Sequence, residues 1–476
     1  MSESGQLLRD CLRQIAPSPS HDAVNPPRPD EVYAPRSHEA ALDPARILVV
    51  GDRGAGKSFW CGCLLNDDLR STLHGVYPKL GLDACKVELG FGGTPRSKTA
   101  PSPAVFDELQ RKGFEAKDIW HGTILRCLEQ AVEIEDLPRK WDDLVQAVRE
   151  DVQSIEDFLG EADQHLLQEG RKVIIVFDAL DRVGSDWDTI RKRTKALLQL
   201  CLSLRSFRTI KPKIFIRPDQ YKDRVLTDFP DASKLTTSSV RLEWERKDLF
   251  GLLFSYLANH DLASREFQSL ASGSLVELGS PAKLASPLQD NEEVQESVFM
   301  KLAGRYMGKN ARKGRTYRWI HGHLADAHGS VTPRTFLEAF REAAERTPPE
   351  TPTPLSYRGL QDGLRAASQV RLEQLAEDYA WIEPALGPLA EMKVPCHDSE
   401  LVKRWKESNV EDTIARLDSL APIEFQNDQD THSALLSALI RIGVAERRPD
   451  QRINVPDIYR VAAKLVKQGA VTHRRG

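Results

Sequence analysis

A strand-like apolar run followed by a glycine-rich turn, at residues 47–58, constrains this chain more than any other segment. Its first four residues, Ile-Leu-Val-Val, predict a buried strand, and the turn fits G-x-x-x-x-G-K-[ST], the pattern of a phosphate-binding loop. Such a turn needs glycine because its backbone amides must curl around phosphate oxygens, where a Cβ would obstruct the approach. The predicted phosphate contacts are Gly51, Asp52, Arg53, Gly54, Ala55, Gly56, Lys57, Ser58 and Phe59.

Two side chains at the end of this turn predict what it binds. Lys57 would neutralise charge on the β- and γ-phosphates of a nucleotide, and Ser58 would be a ligand of Mg²⁺. A helix beginning near Gly56 would direct its N-terminal amides at the same anion. A chance turn rarely combines these features, so we predict a nucleoside triphosphate site. The sequence has no Asn-Lys-x-Asp segment that would read guanine, which favours ATP over GTP.

The composition is that of an ordinary globular protein. Of its 476 residues, 40% are hydrophobic and 29% are charged, and the net charge of −4 gives no overall electrostatic reason to expect nucleic acid. No apolar run approaches the roughly 20 residues of a membrane span, so no membrane partner is predicted. The seven cysteines are scattered and odd in number, which favours reduced thiols in a cytoplasmic protein. Cys61 and Cys63 have no second Cys/His pair nearby, so no zinc site is predicted there.

Strand-like and helical segments alternate in the first half of the chain. Apolar runs predict five strands, at residues 47–50, 86–90, 171–178, 213–217 and 239–244. Because helical or loop sequence separates each strand from the next, we predict a parallel sheet with helices on both faces, a three-layer α/β fold.

Composition also predicts how the chain is divided. Four prolines fall within residues 348–354 and form the clearest predicted boundary, an extended and semi-rigid linker. The predicted parts are an extended N-terminal arm at 1–45, an α/β core at 46–245, a helical lid at 246–346, a proline-rich linker at 347–357 and a helical, winged-helix-like domain at 358–476. In the arm, Tyr33 and His38 are candidates for stacking on the base, although a solvated or merely packed side chain is the commoner case for such residues.

The second strong signal is the apolar run that ends at Asp178. A nucleotide-hydrolysing site needs a carboxylate at the end of a strand adjacent to the first strand, to hold Mg²⁺ through its water shell, and Asp178 has that position. A second acid must orient or deprotonate the attacking water, and Asp181 is the candidate. The alternative is a buried strand whose final aspartate caps the next helix. Together with the phosphate-binding loop, the two aspartates indicate an ATPase of the ASCE type.

The order Asp178, Ala179, Leu180, Asp181 after a buried strand resembles the Walker B motif of the STAND signalling NTPases, in particular the NACHT and KAP groups. In these groups a small residue follows the metal-ligating aspartate, and a second acid lies three positions on. The resemblance covers roughly residues 45–345. Arg182 stands where NACHT domains usually have Glu, which favours the KAP group, although the membrane inserts common in that group are not seen in this sequence.

The same resemblance implies roles for two arginines. In this class the strand ending at Arg217 lies between the P-loop and Walker B strands, so Arg217 would detect the γ-phosphate as sensor 1. A surface pair with Asp219 is an equally open interpretation. Thr332 and Pro333 begin a predicted amphipathic helix, and Arg334 in its first turn resembles the sensor 2 arginine of AAA+-like lids. The helix dipole disfavours a cation there, so an anionic nucleotide would explain it.

Two further segments have alternative interpretations. Residues 433–443 predict an amphipathic helix ending at Gly443, and two short strands joined by a turn at residues 449–450 follow it. This unit resembles the end of a winged-helix domain, which binds DNA or packs on an ATPase core; without a helix rich in Arg, Asn or Gln, packing is favoured. The basic cluster at residues 309–318 could follow a phosphate backbone, but a solvated loop is the commoner explanation.

These expectations describe a nucleotide-driven switch. Its catalytic residues would be Lys57, Asp178, Asp181 and Arg217, its metal ligands Ser58 and Asp178, and its reaction a slow hydrolysis of ATP to ADP. The resemblance implies a bacterial regulatory or anti-phage defence ATPase with a separate protein effector, and it leaves a homo-oligomer open. Two alternatives remain: an origin-recognition-like ATPase that binds DNA with its lid and winged helix, and a scaffold that holds nucleotide without hydrolysis. Nucleic acid is not the favoured partner.

Overall fold

The computed structural model describes residues 3–16, 25–92, 98–133, 137–271, 276–277, 283–417, 423–426 and 430–468. The chain divides into two compact units. We call Pro19–Glu243 the sheet unit, and Met1–Ser18 together with Trp244–Gly476 the helical unit. No helix in the described ranges is long and apolar enough to cross a membrane.

The strands are β1 (Leu48–Val50), β2 (Cys85–Phe91), β3 (Lys172–Phe177), β4 (Ile210–Ile216), β5 (Val240–Arg241), β6 (Val276–Glu277), β7 (Lys283–Leu284), β8 (Lys393–Val394), β9 (Glu446–Arg447), β10 (Ile453–Asn454) and β11 (Val466–Lys467). The helices are α1 (Glu3–Arg13), α2 (Glu39–Leu42), α3 (Lys57–Leu65), α4 (Asp67–Val76), α5 (Pro103–Arg111), α6 (Ala116–Val132), α7 (Trp141–Glu150), α8 (Val152–Gln168), α9 (Trp187–Ser203), α10 (Pro218–Lys222), α11 (Arg224–Thr227), α12 (Ser233–Thr236), α13 (Arg246–Asn259), α14 (Ser264–Leu270), α15 (Ser286–Asp290), α16 (Glu292–Ala303), α17 (Thr316–Leu324), α18 (Pro333–Glu345), α19 (Tyr357–Asp378), α20 (Ile382–Leu386), α21 (Asp398–Glu407), α22 (Val410–Ala415), α23 (Thr431–Arg441) and α24 (Asp457–Arg460).

The sheet unit is built on a five-stranded sheet in the order β2-β3-β4-β1-β5, and every pairing in it is parallel. Alternate residues of β3 face opposite ways, as the two-residue period of a strand requires. Val173 and Ile175 pack with α5–α9 on one face, whereas Ile174 and Val176 pack with α2–α4 on the other. Both faces are therefore covered, which confirms the three-layer α/β fold and its five strands.

One expectation about the strand order is wrong. The carboxylate argument assumed that the strand ending at Asp178 is adjacent to β1, but β4 lies between β3 and β1. The strand neighbours match the order that the family resemblance implied. In register, Val50 is paired with Ile216, and Phe177 with Ile214, so the carboxyl ends of all three strands meet at one edge. Side chains that follow these strands can therefore converge there.

The first helix corrects the interpretation of residues 1–45 as an extended arm. Residues 3–13 form α1, whose Leu8, Cys11 and Leu12 are buried within the helical unit, where α1 packs on α18. Its apolar residues recur at helical spacing, so burial of that stripe favours a helix over an extended chain.

The proline-rich segment also differs from the expected domain linker. It joins α18 to α19, and these two helices pack directly against each other. The side chain of Arg9 is 1% exposed and donates hydrogen bonds to the carbonyls of Pro348, Thr353 and Pro354. Proline removes backbone donors but leaves carbonyl acceptors, and a guanidinium supplies several donors in one plane. The segment is thus fixed inside one unit.

The end of the chain contains the predicted helix and hairpin. Helix α23 is followed by Gly443, whose φ of 77° is in the left-handed region, and then by β9 and β10, which pair antiparallel. The backbone amide of Arg448 donates to the carbonyl of Arg452 at 2.9 Å and closes the turn. Whether this unit is a winged-helix domain stays a prediction.

Candidate nucleotide-binding site

The glycine-rich loop has the conformation that its sequence predicts. It leaves β1 after Val50 and enters α3 at Lys57, one residue later than expected. Gly54 and Gly56 have φ values of 80° and 100°, a region that residues with a Cβ adopt at a cost. The amide of Gly51 donates to the carbonyl of Ile216 at 3.0 Å and fastens the start of the loop to β4. The loop therefore lies at the carboxyl edge of the sheet.

The side chain of Lys57, the first residue of α3, folds back onto the start of this loop. Its Nζ donates to the carbonyl oxygens of Gly51, at 2.7 Å, and Asp52, at 3.0 Å. Burial lowers the pKa of the Lys57 amine, and the nearby carboxylates of Asp178 and Asp181 oppose that shift. The amine is thus held by main-chain acceptors in the loop and lies within the field of both predicted acids.

Ser58 and Asp178 meet at the end of the sheet. The hydroxyl of Ser58 donates to Oδ2 of Asp178 at 2.6 Å, and Asp178 is 5% exposed. Burial raises the pKa of Asp178, whereas the Ser58 hydrogen bond and the charge of Lys57 favour its ionised form. A hydroxyl and a carboxylate are hard oxygen ligands of the kind Mg²⁺ takes, so these residues fit a magnesium ion. In the described ranges, no group of three or more His, Cys, Asp or Glu side chains that could hold a metal ion occurs.

Asp181 follows through an unusual backbone turn. Ala179 has a φ of 54°, left-handed for a residue with a Cβ, and a single 3-10 turn at Leu180–Arg182 comes next. A non-glycine residue in this region stores about 1 kcal/mol of strain or more. The turn brings Asp181 back to the same edge as Asp178, close enough for both to act on the pKa of Lys57.

Arg217 makes the predicted pair with Asp219, and its role as a sensor stays a prediction. It follows β4 and pairs with Asp219 through two hydrogen bonds, Nε to Oδ1 at 3.0 Å and Nη2 to Oδ2 at 2.8 Å. The pair is not on the surface, however, because Arg217 is only 8% exposed. Its Nη1 lies 3.5 Å from Oδ2 of Asp181, and its charge lowers the pKa of Lys57. The structure therefore places Arg217 among the predicted site residues.

Arg334 lies in the helical unit, in the first turn of α18. Thr332 is the N-cap of this helix, since its Oγ1 accepts from the amide of Thr335 at 3.3 Å, and Pro333 is its first residue. The helix start is as the sequence predicts. The role of Arg334 as a nucleotide contact stays a prediction, as do those of Arg53 and Phe59.

Sequence reasoning missed Lys213, which is 0% exposed in β4. Its Nζ donates to the carbonyls of Ala41, Asp43 and Arg46, each at 2.9 Å, and burial lowers its pKa to about 7. These three carbonyls belong to the chain that leads into β1, so Lys213 fixes the approach to the phosphate-binding loop. A lysine in the middle of a buried strand was the available signal.

The two candidate base-stacking residues are interior. Tyr33 is 5% exposed and His38 is 0% exposed. Nε2 of His38 lies 3.0 Å from the carbonyl of Glu243, and the ring meets Trp60 edge-on with centroids 5.6 Å apart. The packing interpretation therefore describes His38 better than stacking on a base.

The parallel sheet order, the loop after β1 and the aspartate after β3 together define a three-layer α/β fold with a phosphate-binding loop after its first strand. No known protein-family profile matches the chain, and no curated protein matches it either. Among solved structures, Cdc6p from Pyrobaculum aerophilum is 13% identical with a TM-score of 0.29, and the alignment covers 94% of this chain and 95% of that one. A Walker-type ATPase of Pyrococcus abyssi is 14% identical with a TM-score of 0.40 over 94% and 99%. The ORC2 protein of Aeropyrum pernix is 11% identical with a TM-score of 0.38 over 91% and 96%. These values assign no function.

Proposed function

We propose that this protein is an ATP-binding molecular switch of the STAND type that hydrolyses ATP slowly. The observation that carries the proposal is the convergence of Ser58, Asp178 and Lys57 at one sheet edge, with Ser58 bonded to Asp178 at 2.6 Å. This arrangement joins a phosphate-binding loop to an acidic site, which is what phosphoryl transfer to water requires.

The residues divide the work of hydrolysis among them. The amides of residues 51–58 surround the phosphates, and Lys57 places its positive charge beside the β- and γ-phosphates. Ser58 and Asp178 hold magnesium, which when bound neutralises charge on the phosphate oxygens. Asp181 accepts a proton from the attacking water as that water forms a bond to the γ-phosphorus, and the bond to the ADP oxygen breaks.

In this proposal, the switch depends on the contacts that the γ-phosphate makes with arginine side chains. Arg217 is held between Asp219 and Asp181, and a γ-phosphate offers this guanidinium a third anionic partner. Arg334 would add a contact from the first turn of α18. Differential contacts with ATP and ADP then bias one arrangement of the two units over another. The family resemblance suggests that a separate protein effector reads this state in regulation or anti-phage defence.

Two variants test this function. Lys57→Ala should lose at least tenfold in ATP affinity while keeping the fold, because its cation contacts the phosphates. Asp181→Asn should bind ATP with wild-type affinity and hydrolyse it at least a hundredfold more slowly. Asp188→Asn, an exposed aspartate on α9, is the matched control and should hydrolyse ATP normally. If Lys57→Ala bound ATP with wild-type affinity, the proposed nucleotide-binding site would be wrong. If the wild type bound nucleotide but did not hydrolyse it, the protein would be a nucleotide-holding scaffold and not an ATPase.

An origin-recognition-like ATPase is the second candidate, because the helix–hairpin unit at α23, β9 and β10 has the order of elements found at the end of a winged-helix domain. Two hairpin arginines already have acidic partners: Arg447 lies 3.3 Å from Asp398, and Arg452 lies 2.7 Å from Asp450. The exposed residues of α23 are serines, which supply little direct base reading. We therefore favour the packing role. ATP-dependent duplex binding that disappears in Arg447→Glu/Arg448→Glu would reverse this preference.

A further inference from the structure

The end of α16, the connection that follows it and α17 carry charge of one sign only. Residues 301–325 contain seven lysines and arginines and no aspartate or glutamate, although the whole chain has a net charge of −4. All seven basic residues are exposed: Lys301, Arg305, Lys309, Arg312, Lys313, Arg315 and Arg318. A basic cluster of this size with no acidic residue in the same segment is the electrostatic footprint expected of a polyanion site.

We call residues 305–318 the basic loop. The loop has a defined backbone: Met307 donates its amide to the carbonyl of Gly314 at 2.9 Å, and Thr316 donates to Arg305 at 3.1 Å. At its tip, Oδ1 of Asn310 accepts from the amide of Arg312 at 3.1 Å and caps a short 3-10 turn. The positive side chains are therefore presented on a scaffold that is already ordered, which lowers the entropy cost of binding.

The base of the loop is anchored in the core of the helical unit. Tyr317 is 0% exposed, its ring stacks on Phe250 with centroids 4.0 Å apart, and its hydroxyl donates to Oε1 of Gln295 at 2.7 Å. The hydroxyl of Thr316 donates to the carbonyl of Gly304. This anchoring explains the aromatic residue within the cluster and leaves the charged side chains facing solvent.

Little acidic charge offsets the loop. Glu296 accepts from Arg315 at 3.0 Å and lies 3.9 Å from Arg318, yet these arginines remain 48% and 63% exposed at the side chain. In the described ranges, Lys309, Arg312 and Lys313 have no acidic partner. Exposed charges of one sign repel each other, so they lower stability unless a partner of opposite charge binds.

We propose that the basic loop binds the phosphate backbone of a nucleic acid. Four of its charges are arginines, whose planar donors suit phosphate. Arg305 lies over the ring of Tyr306 at 5.3 Å, a half-exposed platform that an unpaired base can extend by stacking. A lipid surface fits less well, because none of the exposed large hydrophobic side chains among the described residues belongs to this loop. The basic loop shares no residue with the candidate nucleotide-binding site or with the hairpin.

Fluorescence anisotropy with labelled 20-mers of duplex DNA, single-stranded DNA and single-stranded RNA tests this proposal on the full chain without nucleotide. Arg312→Glu/Lys313→Glu should weaken binding at least tenfold at about 100 mM salt and reduce the slope of log affinity against log salt by about 2. Lys403→Glu/Arg404→Glu makes the same charge change at exposed positions of α21 and should change affinity less than threefold. The wild type should bind at least one of the three probes, and which one identifies the nucleic acid.

Four results would overturn the proposal. The first is that the wild type binds no probe at about 50 mM salt, and the second is that Arg312→Glu/Lys313→Glu and Lys403→Glu/Arg404→Glu lose equal affinity for the probes. The third is that only Arg447→Glu/Arg448→Glu loses affinity, and the fourth is that the protein binds vesicles with 30% phosphatidylserine in preference to the probes. Circular dichroism and wild-type ATP affinity verify that Arg312→Glu/Lys313→Glu folds. Should that variant not fold, Arg312→Gln/Lys313→Gln replaces it, and unchanged nucleic-acid affinity in the replacement overturns the proposal too. Lys57→Ala should bind the probes normally, so failure of the switch and failure of this site are distinguishable.

Discussion

The hydroxyl of Ser58 donates a 2.6 Å hydrogen bond to the carboxylate of Asp178, across 120 residues of sequence. Ser58 lies in the first turn of α3 and Asp178 directly follows β3, so this bond connects the phosphate-binding loop to a strand two positions away in the sheet. In the proposed function, these two oxygens hold magnesium. The bond is therefore the feature on which metal dependence should be tested first.

Asp178→Asn should abolish the effect of magnesium on nucleotide affinity and reduce hydrolysis at least a hundredfold. An amide keeps the shape of the side chain and its contact with Ser58 but loses the charge that a metal ion needs. The measurement is ATP affinity with magnesium and with EDTA, for the wild type and the variant. Asp163→Asn is a control because that carboxylate lies outside the candidate site, where its Oδ1 accepts a hydrogen bond from the amide of Thr209 at 2.7 Å. A magnesium effect of wild-type size in Asp178→Asn would remove Asp178 from the metal site.

Arg217→Ala should reduce the preference for ATP over ADP at least fivefold. In our proposal the guanidinium contacts the γ-phosphate of ATP, which ADP lacks, and no other phosphate of the nucleotide. Asp219→Asn leaves Arg217 in place but removes its bidentate partner, so the same preference should be kept or increased. Both variants lose some stability, since each disrupts a buried pair. The ratio of ATP to ADP dissociation constants separates the two effects. An unchanged ratio in Arg217→Ala would mean that the arginine is only a structural partner of Asp219.

Lys213→Met should destabilise the sheet unit by about 2–3 kcal/mol, because three main-chain carbonyls lose a donor whose side chain is fully buried. Methionine fills a similar volume, so packing changes little. Lys211→Met, on the same strand with a half-buried side chain, should cost less than about 1 kcal/mol. Urea unfolding measures both. If Lys213→Met and the wild type had equal free energies of unfolding, the three hydrogen bonds would make no net contribution to stability.

The lowered pKa of His38 predicts that the folded protein loses stability in acid. Burial lowers its pKa to about 4 in the folded chain, against an ordinary value of 6.5. As the pH falls from 6.5 to 4, the unfolded chain takes up a proton that the folded chain excludes, so unfolding becomes easier; below pH 4 both bind it and the effect stops growing. The total is about 3 kcal/mol at most. His38→Asn should remove this component, so the wild-type and variant stability curves should converge toward pH 4.5. Parallel curves from pH 7 to 4.5 would contradict the assignment.

Gly363→Ala should destabilise the helical unit by about 2–3 kcal/mol. A Cβ at this position of α19 would lie 2.1 Å from the carbonyl oxygen of Ala339 on α18, so the two helices would have to separate. Gly322→Ala is the matched control within α17, because a Cβ there meets nothing within 4 Å and alanine favours a helix. The control should be neutral or up to about 1 kcal/mol more stable. Thermal unfolding compares the two, and similar values would show that α18 and α19 do not need the close approach.

The local parts of the site follow from local sequence. A phosphate-binding loop is specified by consecutive residues, so the pattern alone assigns Lys57 and Ser58. The apolar run of β3 likewise predicts a buried strand, and a polar residue directly after such a strand must lie at its carboxyl end. Parallel pairing then brings Asp178 to the same edge as the loop. These relations depend on spacing along the chain, which sequence records.

Relations between distant segments needed the tertiary structure. That β4 lies between β3 and β1 is a matter of pairing order, which the carboxylate argument alone placed wrongly. Lys213 is a charged residue in the middle of a buried strand, and only the carbonyls of Ala41, Asp43 and Arg46 around its amine explain it. The proline-rich segment has the composition of a linker, yet Arg9 binds its carbonyls within one unit. The sequence by itself determined the phosphate-binding loop pattern and the aspartate at the end of a buried strand, because both are patterns of consecutive residues. Only the tertiary structure decided which buried donors and acceptors meet, because those contacts depend on the packing of segments far apart in the chain.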